Sequence, residues 1–417
     1  MKCQSTAAKK SYLVILTVAL FCFFFAACRS AKQAIGNANQ ASAAKVSAPQ
    51  TPQVMDNDTL TPTLSLPEMT IALWQQLDDQ QHNVWFSPLS LALAMRTVAD
   101  GAKGETQEQL RRVITDYPTI PSDQVKIADA VFVDPSIPLQ ADYIARCKAR
   151  NAELYKQKLL AKDINRWANE HTNGKINHIF DDPMPSNLRM VIANAIWFYA
   201  EWADPFPERG TREDTFYLAP RTGQNEPSVI VPLMRKNDYF TYQQTADAQV
   251  IKLFYEQPAD TAQHRFAMTV VLPREGLSAS DLLKHVTPEQ FAVWLQPDGN
   301  DKVILRLPKI KLSYNRNLTD DLRHIGVTLP FTPAADFSGM STTPLCIDLV
   351  KQSAYLDLNE QGTEAAAVTV AAMKLGAAIG HQSKPIEMTV NRPYLLILQD
   401  NTTHTPLFVG IIHNPKQ

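Results

Sequence analysis

Apolar residues recur at helical spacing in the first part of the chain and form short continuous runs in the second part. The helical spacing predicts helices over residues 70–79, 89–99, 106–114 and 163–171. The later runs are typical of strands buried on both faces, and they predict strands over residues 190–199, 266–272, 302–307, 388–390 and 394–398. This order favours an α+β fold, with helices packed on large and mainly antiparallel sheets, over a regular alternation of strand and helix.

Residues 1–27 are predicted to be an export signal that does not belong to the folded protein. Three lysines precede an apolar run over residues 12–25, and two alanines then precede Cys28. A basic head, an apolar middle too short for a comfortable membrane span and a small-residue end are typical of a secretory signal. The ending resembles a bacterial lipobox, whose cysteine is lipidated and becomes the first mature residue. The alternative is an ordinary cleavage site beside an incidental cysteine.

Residues 28–65 are rich in Ala, Gln, Asn, Ser, Thr and Pro and show no apolar periodicity, which indicates a flexible tether. Such a tether would hold a following domain about 35 Å from an anchored Cys28. Residues 66–417 contain no second linker and no repeat, and we expect them to form one domain. We therefore expect an exported bacterial lipoprotein, held by a membrane at the periplasmic face or at the cell surface.

Charge and motif content weigh against several classes of function. The 40 Lys and Arg residues nearly balance the 42 Asp and Glu residues, giving a net charge of -2, which argues against a nucleic-acid binder. The chain has no metal-ligand spacing, phosphate loop, dinucleotide fingerprint or Gly-x-Ser-x-Gly motif, and we expect no metal and no cofactor. These absences weigh against an enzyme, although a triad assembled from distant positions stays open.

Three cysteines remain once the export signal is removed. Cys28 is the lipidation candidate, and Cys147 and Cys346 lie far apart in the predicted domain. Two cysteines in so long a chain do not form a disulfide framework. We expect Cys147 and Cys346 to be inert core thiols, with one bridge between them as the alternative.

One segment near the C-terminus is unusual in composition. Residues 365–380 carry a single charge, on Lys374, and their side chains are too small to anchor a core. In a strand, Thr363 and the alternate residues after it would form a small, uncharged face, with Glu364 on the opposite face. Such a face could enter a crowded sheet. An Ala-rich helix is the alternative from these residues alone, because Ala is the best helix former.

This segment resembles the reactive-loop hinge of inhibitory serpins, and other motifs of that family follow in family order over about residues 66–417. The hinge match comprises Glu360, Gly362, Thr363, Glu364, Ala365, Ala366, Ala367 and Thr369. The other matches are Phe-Ser-Pro at 86–88, Gly-Ala-Lys-Gly-Glu-Thr at 101–106, Asn-Arg-Trp at 165–167, Thr-Asn-Gly-Lys-Ile at 172–176, Asn-Ala-Ile-Trp-Phe at 194–198, Leu-Pro-Lys at 307–309, Ala-Asp-Phe-Ser at 335–338, Asn-Arg-Pro-Tyr at 391–394, Leu-Phe-Val-Gly at 407–410 and Asn-Pro at 414–415.

The resemblance implies the serpin fold, with three β-sheets, about eight or nine helices and an exposed reactive-centre loop in a metastable state. It implies a suicide substrate of serine proteases, with cysteine proteases as a further class. The protease would cleave the loop and be trapped as an acyl-enzyme while the loop inserts as a new strand. Because the protease supplies the nucleophile, no catalytic residue of this chain is implied. The alternative is a non-inhibitory serpin-fold binding or scaffold protein. We expect a monomer whose partners are proteases and a membrane.

The resemblance also implies roles for single residues. Ser87, Ser90, Asn194 and Gln352 correspond to a hydrogen-bonded group beneath the point where the sheet opens, which we call the sheet-opening cluster. The family usually has His where this chain has Gln352, an amide that can both donate and accept. Trp202 matches a Trp at the top of the sheet, and Lys309 matches the salt-bridge partner of the hinge Glu360.

The family count from the hinge Glu360 gives a reactive bond between Gly376 and Ala377. One residue shorter gives the bond after Leu375, and two residues shorter gives the bond after Lys374. Leu375, Ala377 or Ala378 would suit subtilisin-, elastase- or chymotrypsin-like pockets. Lys374 would suit a trypsin-like pocket, where an acidic group pairs with the ammonium.

Overall fold

The computed structural model of the protein describes residues 64–114, 124–150, 152–220, 226–257, 264–363 and 384–417. All of them belong to one compact unit, Asp58–Gln417. The predicted export signal, Cys28 and nearly all of the predicted tether lie outside the described residues. Among the residues that are described, no helix is long and apolar enough to cross a membrane.

The described ranges contain eight α-helices and sixteen β-strands. The helices are α1 (Leu66–Leu77), α2 (Pro88–Ala99), α3 (Gly104–Leu110), α4 (Ala141–Ala149), α5 (Ala161–His171), α6 (Ala279–Lys284), α7 (Pro288–Leu295) and α8 (Thr319–His324). The strands are β1 (Val84–Phe86), β2 (Val125–Val133), β3 (Glu153–Lys156), β4 (Met190–Phe198), β5 (Ala200–Glu201), β6 (Arg212–Tyr217), β7 (Ser228–Gln244), β8 (Ala248–Phe254), β9 (Phe266–Pro273), β10 (Gly299–Pro308), β11 (Ile310–Asn317), β12 (Leu349–Leu358), β13 (Gly362–Thr363), β14 (Ile386–Thr389), β15 (Tyr394–Asp400) and β16 (Thr405–Ile412).

Local side-chain caps start the two helices that lead into the core. The Ser65 side chain accepts the Glu68 amide while Glu68 reaches back to the Ser65 amide, which is a complete capping box for α1. The Ser87 side chain accepts the Ser90 amide at the start of α2, and Pro88 occupies the first helical position, where its missing N–H costs nothing. The entry points of these helices are therefore fixed by residues next to them in sequence.

The strands form two hydrogen-bonded networks. The first, which we call the main sheet, has the order β3-β2-β4-β12-β13-β5, and β11 lies beside β12. The second has the order β1-β16-β15-β9-β8-β7-β10-β14, and β6 lies beside β7. In this second network β7 pairs with β6 and β10 along most of its length and with β8 only at its end. The strands therefore form two networks where three sheets were expected, because the long strand β7 joins β6 and β10 to β8 in one network.

Helices cover both faces of the main sheet. Helix α2 is buried along almost its whole length and packs on β2, β4 and β16, so it lies between the two networks. Helix α5 packs on the opposite face of β2 and β4, where alanines lie beneath Ile164 and Trp167. Small side chains on this face bring the helix close to the strands, and β4 is buried on both sides, as is the second half of β2.

Candidate functional site: the hinge and the sheet-opening cluster

The first residues of the small-residue segment form part of the main sheet. Thr363 pairs with Leu358 of β12 on one side and with Ala200 of β5 on the other, so β13 lies between these strands. Thr363 is buried. A Cβ atom on Gly362 would lie 2.2 Å from the carbonyl oxygen of Ala200, so the close backbone approach requires glycine here. The start of the predicted hinge thus has the position of a sheet strand.

Two aromatic residues, Tyr255 and Trp202, form hydrogen bonds to the hinge and to the residues just before it. The Tyr255 hydroxyl shares a hydrogen bond with the Thr363 hydroxyl, and both side chains are buried. The Trp202 ring stacks on Tyr255 with ring centroids 4.4 Å apart, and its Nε1 donates to the Asn359 carbonyl. Burial raises the pKa of Tyr255 above its ordinary value, although the Thr363 hydrogen bond acts against this, so the phenol stays protonated. Sequence analysis missed Tyr255, which follows β8 without a recognisable motif.

An ion pair holds the base of the hinge, as the resemblance implied. The Lys309 Nζ lies 2.8 Å from Glu360 Oε2, and the Thr211 hydroxyl donates to Glu360 Oε1 at 2.7 Å. Burial acts to raise the pKa of Glu360, but the hydrogen bonds from Lys309 and Thr211 outweigh burial and the pKa is lowered. The carboxylate is therefore charged at neutral pH and joins the hinge base to Lys309, which lies between β10 and β11, and to Thr211, which precedes β6.

The sheet-opening cluster connects α2 to the two central strands. Asn194 and Gln352 are directly opposite each other in the parallel pair of β4 and β12, and Gln352 Nε2 donates to Asn194 Oδ1 at 2.7 Å. The Ser87 amide donates to Gln352 Oε1 at 2.8 Å, and Gln352 Nε2 also donates to the Ser87 carbonyl at 3.0 Å. Gln352 thus uses both its donor and its acceptor, and the cluster is formed without the usual His.

An aspartate missed by sequence analysis completes the cluster. Asp129 is opposite Asn194 in the antiparallel pair of β2 and β4, and its Oδ1 accepts from Asn194 Nδ2 and from the Ser90 hydroxyl. Asn194 Nδ2 also donates to Ser90 Oγ. Burial of the Asp129 carboxyl raises its pKa to about 7 against these hydrogen bonds, and the nearby charge of Glu153 adds to the rise. The only sequence signal was an isolated acidic residue in the apolar run of β2.

The geometry defines where a further strand would enter the main sheet. Strands β4 and β12 pair directly over Val191–Ile196 and Leu349–Ala354. Beyond this stretch β13 separates β12 from β5, which follows β4 after one residue. A strand continuing from Thr363 along this line would have to part β4 from β12, and the Asn194–Gln352 hydrogen bond would break.

Several predicted site residues lie outside the described residues. They are Cys28, the hinge residues Glu364, Ala365, Ala366, Ala367 and Thr369, and the reactive-bond candidates Lys374, Leu375, Gly376 and Ala377. Of the two thiols in the folded unit, Cys147 is buried, Cys346 is partly buried, and both are free. The alternative of a bridge between them is therefore wrong for this structure.

Comparisons with known proteins agree with this architecture. The family model described as Serpin (serine protease inhibitor) matches residues 65–415. The chain is 32% identical over 378 residues to Serpin-Z2A of Triticum aestivum, a match that covers 80% of this chain and 90% of that protein. The solved structure of Tengpin, a thermophilic serpin in the native state, has a TM-score of 0.73 at 24% identity and covers 84% of this chain and 93% of that one.

A similar fold occurs in a solved complex of thyroxine-binding globulin with thyroxine, with a TM-score of 0.72, 22% identity and coverage of 84% of this chain and 98% of that one. The match over residues 65–415 places the chain in a family of known fold: the chain belongs to the serpin family. Its fold is the α+β serpin fold. Family and fold support protease inhibition as the general function.

Proposed function

We propose that the protein inhibits serine proteases as a suicide substrate, through insertion of its reactive-centre loop into the main sheet. The observation that supports this most directly is the position of β13, whose Thr363 is hydrogen-bonded in the sheet between β12 and β5. The residues that follow Thr363 in sequence are small and uncharged at alternate positions. They suit continued insertion between two packed strands, because a bulky or charged side chain on that face would be buried without a partner.

The work of trapping comes from strand addition. Each inserted residue gains backbone hydrogen bonds to β4 and β12, and the small side chains become buried beneath the covering helices. A protease joined to the loop as an acyl-enzyme would be carried with it, and distortion of its active site would leave the acyl bond unhydrolysed. All covalent chemistry in this scheme belongs to the protease nucleophile, which attacks the loop as an ordinary substrate.

The proposed reactive bond is Gly376–Ala377, with the bonds after Leu375 and Lys374 as neighbours. Small or apolar residues at this point favour proteases with subtilisin-, elastase- or chymotrypsin-like pockets, whereas cleavage after Lys374 would need a trypsin-like pocket. Cysteine proteases form a comparable acyl-enzyme and are a further class of target.

A gel experiment tests this proposal. The protein is incubated with subtilisin, elastase, chymotrypsin or trypsin, and the products are separated under denaturing conditions. We expect a covalent complex with at least one enzyme, and mass spectrometry of the released C-terminal peptide identifies the reactive bond. Clean cleavage of the loop by every protease that attacks it, without a complex, would contradict inhibition and favour a binding or scaffold function on the same fold.

We further propose that the inhibitor is anchored to a membrane by a lipid on Cys28, at the periplasmic face or the cell surface. The support is the sequence alone: a basic head, an apolar run and small residues before the cysteine. A tether over residues 28–65 would leave the inhibitory domain free to meet soluble proteases.

A further inference from the structure

Three residues lie side by side across the centre of the main sheet and form a polar row. Asp129 of β2 is opposite Asn194 of β4, and Asn194 is opposite Gln352 of β12. Asn194 and Gln352 are fully buried, as are Ser87, which caps α2, and Ser90 of α2; these two serines lie on one side of the row. The row thus crosses the boundary between β4 and β12 at which a further strand would enter.

The hydrogen bonds along this row run in one direction. Gln352 Nε2 donates to Asn194 Oδ1, and Asn194 Nδ2 donates in turn to Asp129 Oδ1. Asp129 also accepts from Ser90, so it is the final acceptor of the row. An ionised carboxyl can only accept, whereas a protonated one also donates. Asp129 is therefore the one member of the row whose hydrogen-bonding character changes with a proton.

We propose that Asp129 makes opening of the main sheet depend on pH: its protonated form stabilises the closed pairing of β4 with β12, and its ionised form favours their separation. This inference rests on the proposed loop insertion. The reason is solvation. In the closed sheet the Asp129 carboxyl belongs to a residue that is itself partly exposed, and it lies against partners that are buried; separation of the strands would admit more water to the row and solvate a charge there.

The electrostatic surroundings of Asp129 support this direction. Burial raises the pKa of its carboxyl to about 7, so the group changes charge in the neutral range. The charged and titratable residues on the elements packed around it are Lys126 on β2, Arg96 on α2, Glu153, Tyr155 and Lys156 on β3, and Lys162, Asp163, Arg166, Glu170 and His171 on α5; β4 has none. Among these, Glu153 acts on Asp129 by its charge, and it raises the pKa further.

Uptake of a synthetic peptide with the sequence of residues 364–376 measures sheet opening without any protease. The labelled peptide is mixed with the full chain, and its rate of incorporation is followed by fluorescence anisotropy across the neutral range of pH. If opening lowers the pKa of Asp129 by half a unit, the rate rises about threefold from acid to alkaline pH. We expect this rise in the wild type and a flat profile in Asp129→Asn, which keeps the shape of the side chain. His171 is present in both proteins and does not account for the difference.

Two further variants separate titration of Asp129 from a purely structural role. Glu153→Gln removes the neighbouring charge and should move the midpoint of the profile to lower pH with its amplitude kept. Asp134→Asn changes a carboxyl just beyond the end of β2 that bonds Ser136 and should leave the wild-type profile unchanged. A wild-type rate that is flat with pH, or a rise that persists in Asp129→Asn, would overturn the proposal while leaving inhibition possible. If the rate of peptide uptake depends on pH as expected but the protein forms no covalent complex with any protease, the proposed function is contradicted and the role of Asp129 is not.

Discussion

The hydroxyl oxygens of Tyr255 and Thr363 lie 2.6 Å apart, and both side chains are buried where β13 enters the main sheet. This hydrogen bond joins Tyr255, which follows β8 of the second network, to Thr363 of the hinge strand β13. Because the Trp202 ring stacks on Tyr255, the phenol has a fixed position and the Thr363 hydroxyl has a defined partner. The hinge is therefore held in the sheet by its side chain as well as by its backbone.

We expect Tyr255→Phe to weaken this attachment. The variant leaves the buried Thr363 hydroxyl without its partner, at a cost of about 1–3 kcal/mol. Chemical denaturation should show this loss in the free energy of unfolding, and a double variant with Thr363→Val should lose less than the sum of the two single changes. Strictly additive losses would mean that the two hydroxyls do not interact.

We expect Thr363→Arg to convert the protein from an inhibitor to a substrate. Residue 363 is buried beside Tyr255 in the main sheet, so a guanidinium there would be excluded from the sheet, because burying it on the inserting face without a partner costs several kcal/mol. Glu364→Arg is the matched control, because in a strand residue 364 points to the opposite face. Denaturing gels should show cleavage without a complex for Thr363→Arg and a complex for Glu364→Arg. Trapping by Thr363→Arg at the wild-type stoichiometry would mean that the inserting face was assigned wrongly.

The Glu360–Lys309 ion pair predicts a pH dependence of stability. The pKa of Glu360 is lowered from its ordinary value of 4.5, so the pair stabilises the folded state above that pH and this contribution is lost as the pH falls through the folded pKa. Glu360→Gln should therefore be less stable than the wild type at neutral pH, and the difference should disappear in acid. We expect about 1 kcal/mol at most, since Lys309 is partly exposed and its charge is screened by solvent.

Melting curves from acid to neutral pH measure this difference. Glu387→Gln is the control, because Glu387 forms a more exposed ion pair with Arg306 and its loss should change stability little. If the Glu360→Gln difference stays constant down to strongly acid pH, the ionised carboxylate is not the source of the stabilisation.

Local signals predicted four of the eight helices and five of the sixteen strands that the described residues contain. The helix expected over residues 89–99 is α2, whose start is fixed by Ser87 and Pro88. The strand expected over residues 190–199 is β4, which is apolar and buried throughout. The helix expected over residues 106–114 was only partly right, since α3 ends at Leu110 and a 3-10 turn follows. These features depend on residues close together in sequence, where capping and periodicity act.

Pairings between distant strands could not be derived from the residues alone. Asn194 and Gln352 meet because β4 and β12 are parallel neighbours, and hydrophobic periodicity does not specify which buried strands pair. The resemblance supplied these two residues. It supplied neither Asp129 nor Tyr255, whose contributions follow from the register of β2 on β4 and from the packing of Trp202.

We expect cleavage within residues 373–378 to raise the unfolding midpoint by tens of degrees. A freed loop can extend β13 along the boundary of β4 and β12 and add a full strand to the main sheet, whereas a nick in an ordinary surface loop leaves stability unchanged or lowers it. Calorimetry before and after limited proteolysis checks this. The Thr363→Arg variant, cleaved at the same bond, should gain much less; an unchanged or lowered midpoint in the wild type would contradict the metastable state.

We expect Cys28→Ser to release the protein from the membrane fraction while leaving inhibition of small soluble proteases intact. A lipid stabilises membrane attachment by about 0.8 kcal/mol per buried CH₂. This is far more than the mature protein would gain from an anionic bilayer, because removal of the three export-signal lysines from the total of -2 leaves a net charge of -5. Because the predicted tether lacks the pattern of a packed element, the lipid and the inhibitory domain should be energetically independent.

Cys22→Ser is the matched control for this prediction, because Cys22 lies within the apolar run that would be removed with the export signal. That variant should fractionate with membranes as the wild type does, and mass spectrometry should find the lipid on residue 28 in both. If Cys28→Ser still sediments with membranes, attachment has another cause, such as an uncleaved signal or a protein partner. If it is released and also loses inhibition, residues of the predicted tether take part in the inhibitory fold, and the boundary between residues 65 and 66 is wrong.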